Sequence, residues 1–413
     1  MKKTMAILLV LALMLPFAGA LAAEQAVPMT IATWTSNENQ LALLQSFVDG
    51  FAAHKGIKID AKFESIPFAE YNTKLLLELQ SSNPPDLYWV LETSAPAFIA
   101  SGNLAKLDEA LKEWEPEDFA PASLALWQKD GSTYAVPFST SPFVLLYNVT
   151  MFKDAGVKTP KELIAENNWT WESFREIAKE IKEKTGKWAF QTVDGEGYTA
   201  RVLHNLLPII RAMGGNLWTA DGQVSADSDV SVAAIKLFHD MVYADQSVVP
   251  PGDQSDFYTG GAAMTVGQIS RVSKLADVTW EWDMATLPGN APVIGQAALG
   301  ANANGKNVEL ATQLLAYMTN KDSVAAMAGI WPPARKSVLE SEAFLSSNPA
   351  ITPEQMKDAV AASIETGQVL PSHEMYPQIE VESRILYDKL WNAGADVAAV
   401  MQEVAALYRN YIK

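Results

Sequence analysis

The side chains in this 413-residue chain that could do chemistry are few in kind. There are four histidines, His54, His204, His239 and His373, and no cysteine. Three of the histidines fall inside helical apolar patterns, and none has a metal-ligand spacing such as H-x-x-x-H. With no thiol, no G-x-S-x-G elbow and no phosphate loop, nucleophilic and phosphoryl-transfer chemistry have no visible machinery. Forty-eight Asp and Glu residues make chance carboxylate pairs certain. Only Glu38 and Glu92 stand at strand ends, where a two-carboxylate hydrolase would need them. What recurs instead is an aromatic ring near hydrogen-bonding groups: Trp34 with Asn37 and Glu38, Trp89 with Glu92, Tyr198 behind the loop 194–197, and Trp331 with Arg335, while Gln268 with Arg271 offers polar groups alone. Such groups suit a ligand with apolar C–H faces and a rim of paired donors and acceptors, and they point to binding rather than catalysis.

Each of these residues also has a plain structural reading. Thr35 and Glu38 have the spacing of a capping box, with Thr35 at the N-cap. Trp89 lies inside a short apolar strand, where a Trp is ordinarily core. Trp114, Trp171, Trp280, Trp282 and Trp391 sit at helix starts or in alternating strands and read as structural. The loop 194–197, followed by Tyr198 and Arg201 at a helix start, reads as solvent-facing.

The elements that must position these groups follow from periodicity. Met29–Trp34 reads as a strand, and Leu41, Leu44, Phe47, Val48 and Phe51 mark a helix. Ile57–Phe63 is a second strand, Pro67 opens a helix to about Gln80, and Leu87–Val90 is a short buried strand. This β-α-β-α-β order predicts a parallel, doubly wound lobe, whose ligands sit beyond the carboxyl ends of the strands. Tyr134–Phe138 and Phe143–Tyr147 are apolar strand-like runs joined by Ser-Thr-Ser-Pro. They read as a crossing between two lobes. Beyond it, helices are expected over 171–184, 200–213, 230–243 and 308–318, with a strand at 188–192. No repeat or low-complexity segment interrupts the chain.

At the N-terminus, Lys2 and Lys3 precede an apolar run from Met5 to about Ala18, followed by small residues to Ala23. This is the pattern of a cleaved secretory signal over 1–23, and the run falls short of the ~20 residues a membrane span needs. No cysteine follows the cleavage region, so a lipid-anchored form is not expected. The chain carries a net charge of −17. Such a field disfavours nucleic acid and anionic lipid surfaces as partners.

Several segments resemble the extracellular solute-binding receptors of sugar-type ABC importers, the maltose-binding-protein-like family. Tyr147-Asn148 followed by Met151–Val157 and Pro160 is similar to its "YN…lFkkaGl…P" signature. The run PPDLYWV (84–90), Trp171–Phe174, Gly214-Gly215, Gly260–Gly267 and Trp331–Val338 follow in family order across nearly all the mature chain. The resemblance implies a two-lobed α/β periplasmic-binding-protein fold. Each lobe would be a doubly wound sheet flanked by helices, the lobes joined by hinge crossings. The expected division is 24–138 with 300–331 for the first lobe and 139–299 with 332–413 for the second, with crossings near 138–142, 297–301 and 331–335. It implies a periplasmic monomer that performs no catalysis and uses no cofactor or metal. Such a receptor captures a carbohydrate, expected neutral, in the interlobe cleft and delivers it to permease subunits in the inner membrane. Receptors for polyol phosphates of the glycerol-phosphate type and for polyamines are the neighbouring alternatives, and a secreted glycoside hydrolase is the rival from another class. The family often stacks a Trp near position 270, where this chain has Ser270. Trp331 could supply that ring. The residues expected to touch ligand are thus Trp34, Asn37, Glu38, Trp89, Glu92, Tyr198, Gln268, Arg271, Trp331 and Arg335.

The signal pattern makes a direct prediction. N-terminal mass analysis of the exported protein should find a chain starting between Leu21 and Glu24; a product retaining Met1, or one fixed in the membrane, would contradict it.

Overall fold

The structure, a computed structural model, describes residues 25–119, 121–219 and 222–413, so the expected signal segment lies outside the described residues. Two sheets organise the fold. In the first, β1 (Val27–Thr33) lies between β2 (Ile59–Ser65) and β3 (Leu87–Leu91), and both pairings are parallel. Helix α1 (Glu38–Lys55) and helix α2 (Tyr71–Leu79) supply the crossovers. The helical repeat predicted from Leu44, Phe47, Val48 and Phe51 is the buried stripe of α1. Its N-cap is Asn37 rather than Thr35: the Asn37 side chain accepts the Asn39 and Gln40 amides at 3.0 and 3.2 Å, so no Thr35–Glu38 capping box forms.

The crossing strands differ from expectation in an informative way. The Ser-Thr-Ser-Pro segment is not a linker. It is the second half of one continuous, buried strand, β4 (Ala135–Pro142). From here β5 (Val144–Asn148) enters the second sheet. There it runs antiparallel to β7 (Ala262–Gly267) and β8 (Trp282–Ala285), while β6 (Trp188–Gln191) pairs parallel with β7. The return strand β9 (Val293–Ala301) is antiparallel to β4 along Ile294–Gly300, with a bulge at Ala297/Ala298. The two crossings therefore bond to each other, which satisfies backbone groups that a polar linker would have left to water. Residues 297–301 are also bonded to β3. They belong to the first sheet, and the second crossing lies upstream, at 293–296. At its start β9 pairs with the short β10 (Gln368–Val369).

Helices cover the second sheet. α3 (Trp171–Thr185), α4 (Val202–Ala212) and α5 (Asp229–Tyr243) follow the predicted periods. They enclose a core with Leu145, Tyr147, Phe190 and Met264, joined by α7 (Tyr376–Tyr387) and α8 (Val397–Tyr411). α6 (Val308–Met318) packs on α1 in the first lobe. β5 is buried on both faces, for Val144 and Leu146 join the other core.

The expected third crossing at 331–335 moves. Arg335 is fully buried within the first lobe, and its guanidinium donates to the carbonyls of Thr319, Glu115 and Trp114 at 2.7, 3.0 and 2.7 Å. It also stacks 4.1 Å from the Phe119 ring centroid and stands 3.6 Å from Asp118. Ser337 bonds the same Asp118. Residues 332–338 therefore still belong to the first lobe, and contact with the second sheet comes later, where Gln355 donates to Asp283 at 2.8 Å. A buried arginine needs acceptors on every side, and three carbonyls supply them. Arg335→Leu should cost about 2–5 kcal/mol by orphaning those carbonyls. Urea denaturation measures this, and a loss below about 1 kcal/mol would assign Arg335 no anchoring role.

Candidate functional site

Between the lobes lies a cleft of about 770 Å³, ample for a small solute. Its first-lobe wall begins where β1 ends. Trp34 follows Thr33 and is half-buried, its ring edge-on to Trp89 at 4.6 Å and to Tyr71 at 5.1 Å. Tyr71 fixes the strand ends: its hydroxyl accepts the Trp89 amide at 3.0 Å and lies 3.1 Å from the Ala32 carbonyl. Trp89 is only 1% exposed. It is clasped by Trp34, by Phe138 at 4.7 Å and by Trp331 at 5.5 Å. Trp34, Trp331 and the exposed Phe68 line the cleft, while Trp89 is the buried ring that holds the layer in place.

Beyond β3 the chain makes one helical turn, Glu92–Ser94, and Glu92 faces the cleft although only 4% exposed. One carboxylate oxygen accepts the Gln296 amide of β9 at 3.2 Å. Burial pushes the Glu92 carboxyl up to about 7, partly offset by local amides and by Arg201, with Glu380 adding to the rise. The Gln296 side chain is held in turn, accepting from Trp127 at 2.8 Å and donating to the Ser123 carbonyl at 3.1 Å.

The opposite wall comes from the second lobe. Arg201 and His204, at the start of α4, line the cleft. Arg201 donates to His204 Nε2 at 3.3 Å and lies over the rings of Phe68 (5.2 Å) and Phe143 (5.8 Å). Burial, with Arg201 beside it, holds the His204 imidazole well below its usual range, so it is neutral at pH 7. On α7, Glu380 is paired with Arg384 at 2.9 Å. Gln268, after β7, donates to the Ser141 carbonyl at 3.0 Å. Its amide nitrogen sits 2.8 Å from where a Cβ on Gly295 would stand, so a side chain there would push the Gln268 amide aside.

Of the expected ligand residues, the structure brings Trp34, Glu92, Gln268, Arg271 and Trp331 to one cleft. The other five lie elsewhere. Asn37 caps α1 and Glu38 is exposed at its start. Trp89 supports the aromatic layer from behind. Tyr198 is turned inward, its hydroxyl donating to the Val249 carbonyl at 2.7 Å and its ring against Trp391 at 4.8 Å. Arg335 is an internal anchor. The loop read as solvent-facing does border the cleft, through Glu196. Sequence reasoning missed Phe68, Phe143, Arg201, His204, Gln296 and Glu380. Only Arg201 had a local signal, its place at a helix start. The five Trp residues read as structural do not line the cleft. Among the described residues no cluster of His, Asp and Glu could hold a metal ion.

Two lobes with a ligand-sized cleft between them define the class of two-lobed solute-binding proteins. The model for the bacterial extracellular solute-binding protein family matches residues 46–353, and the chain belongs to that family. It is similar to an arabinooligosaccharide-binding protein of Halalkalibacterium halodurans, 25% identical over 69% of this chain and 66% of that protein. It is similar also to a lactose-binding protein of Rhizobium radiobacter, 24% identical over 66% of this chain and 60% of that protein. A third relative is a diacetylchitobiose-binding protein of Streptomyces coelicolor, 26% identical over 76% of this chain and 73% of that protein. The matched region thus spans less than two thirds of the first two relatives' lengths. In three dimensions the chain resembles a Listeria monocytogenes ABC substrate-binding protein in complex with cycloalternan, with TM-score 0.80, 19% identity and coverage of 94% and 99%. It also resembles a Mycobacterium tuberculosis protein in complex with glycerophosphocholine, with TM-score 0.77, 18% identity and coverage of 94% and 98%.

The aromatic layer predicts a division between stability and binding. Trp89→Ala should cost about 3–5 kcal/mol in urea unfolding, the scale of a buried ring. Trp34→Ala and Trp331→Ala, at half-buried positions, should cost under about 2 kcal/mol. Equal losses at all three positions would contradict the assignment of Trp89 as the support.

Proposed function

We propose that this protein is a periplasmic receptor that captures a neutral carbohydrate between its lobes and delivers it to an ABC importer, without catalysis. The observation that carries this reading is the charge balance of the cleft. Its lining holds three arginines, Arg201, Arg271 and Arg384, and three carboxyl groups, Glu92, Glu196 and Glu380. With Glu92 raised to about 7 by burial, a chain of net charge −17 thus presents a cleft surface close to charge balance, with aromatic faces. Neutral polyols are suited to it, since rings take their C–H faces while amides, carboxylates and guanidiniums take their hydroxyls. The sugar-binding names of the curated relatives support the same class. Binding stabilises the closed arrangement because contacts from both walls are complete only there.

A polyol phosphate is the second reading, favoured by Arg201 and Arg271 and by the likeness to the glycerophosphocholine complex. A thermal-shift panel of oligosaccharides and polyol phosphates separates the two. A ligand at about 100 times its Kd adds about 2.7 kcal/mol of stability. A shift with a neutral sugar, accompanied by a smaller radius of gyration in solution scattering, is the expected outcome. A shift with polyol phosphates alone, abolished by Arg271→Ala, would replace the neutral-sugar reading.

A further inference from the structure

The cleft brings one buried carboxyl of the first lobe under charged groups of the second. Glu92 sits on the turn 92–94; three elements pack against that turn, and the start of α4 acts on the carboxyl through charge. The helix Ala95–Ala100 carries no titratable side chain. β9 contributes the Gln296 amide at 3.2 Å. α7 packs against the turn and brings Tyr376, buried, together with the Glu380–Arg384 pair. The start of α4 brings Arg201, whose guanidinium is placed by Phe68, Phe143 and His204. Arg201 and Glu380, the two charged groups that act on Glu92, thus both belong to the second lobe. The solvent that would stabilise the carboxylate is excluded here, while Arg201 and Glu380 both come from the other lobe.

We propose that closure of this cleft is proton-linked, with Glu92 taking up a proton as Arg201 and Glu380 close over it. The inference rests on the two-lobe closing receptor described above, but not on the identity of its ligand. The direction follows from linkage. An ordinary glutamate titrates at 4.5, and with the two walls placed as they are here burial pushes Glu92 up to about 7. The closed state therefore holds the proton more tightly than a state with Glu92 in water. Closure is favoured as pH falls from about 7 towards about 4.5, by up to about tenfold in the closed-to-open ratio per pH unit, and that gain is lost above about 7. Arg201 stabilises the carboxylate and Glu380 opposes it, so the two second-lobe groups set the midpoint from opposite sides.

The chain has no cysteine, so two introduced ones can be spin-labelled without interference. Asp49→Cys on α1 and Lys179→Cys on α3 report the interlobe distance by pulsed electron resonance, with no sugar present. The short-distance population should grow between about pH 8.5 and about pH 5.5, and Glu92→Gln should abolish that response. Arg201→Met should move the midpoint to higher pH and Glu380→Gln to lower pH, opposite shifts that a merely structural role would not produce. Carbon-13 NMR of the glutamate carboxyls in the otherwise unaltered protein gives a second readout, needed should Glu92→Gln fail to fold. One carboxyl should titrate about two units above the rest. Distances that ignore pH, a Glu92→Gln protein that keeps the response, or no carboxyl titrating above about 6 would each overturn the proposal. Because no ligand is added, these results stand apart from the outcome of the sugar screen.

Discussion

The antiparallel ladder between β4 and β9 is the constraint on which the rest of the structure depends. Two segments must leave the first lobe for the second, and each carries backbone groups that cannot stay unpaired in a buried setting. Here they pair with each other from Ile294 to Gly300. The pairing keeps Ser139, Thr140 and Ser141 buried and regular rather than looped. It also fixes the floor of the cleft, since Gln296 on one strand bonds Glu92 while the Ser141 carbonyl on the other receives Gln268. A bulge at Ala297/Ala298 marks where β9 leaves its partnership with β3 and turns toward the second lobe. Ladder and bulge together make a crossing that is continuous in hydrogen bonding.

On this floor the two lobes contribute unlike walls. The first lobe offers rings, stacked in depth so that Trp89 is sealed and Trp34 and Trp331 flank it. The second offers charge, placed by a helix start and by the i,i+4 pair on α7. Neither wall alone would hold a polar solute: rings give area without direction, and a charged face in water gains little. Within this cleft Glu92 acquires an unusual carboxyl affinity for protons and His204 loses its own. Burial is the first cause in both cases, and it raises the acid and lowers the base, as it must when the charged form is penalised.

Much of this was legible in the residues alone. The periodicity of Leu44, Phe47, Val48 and Phe51, the β-α-β-α-β order of the first lobe and the strand-end positions of Trp34 and Glu92 follow from local pattern, because apolar spacing records which face of an element is buried. The ordered motifs from Tyr147-Asn148 to Trp331–Val338 named the family. Tertiary structure decided what lies between the elements. Leu87–Val90 is buried on both faces, so no alternation distinguishes a Trp that faces ligand from one that supports it. Arg335 and Arg201 look alike in sequence. One is drawn inward by carbonyls at positions 114, 115 and 319, and the other is held at the cleft by rings at 68 and 143. A guanidinium's role is set by the acceptors and faces that reach it, and those arrive from distant parts of the chain. Local pattern can predict an element, but only the packed fold determines which charges share a wall.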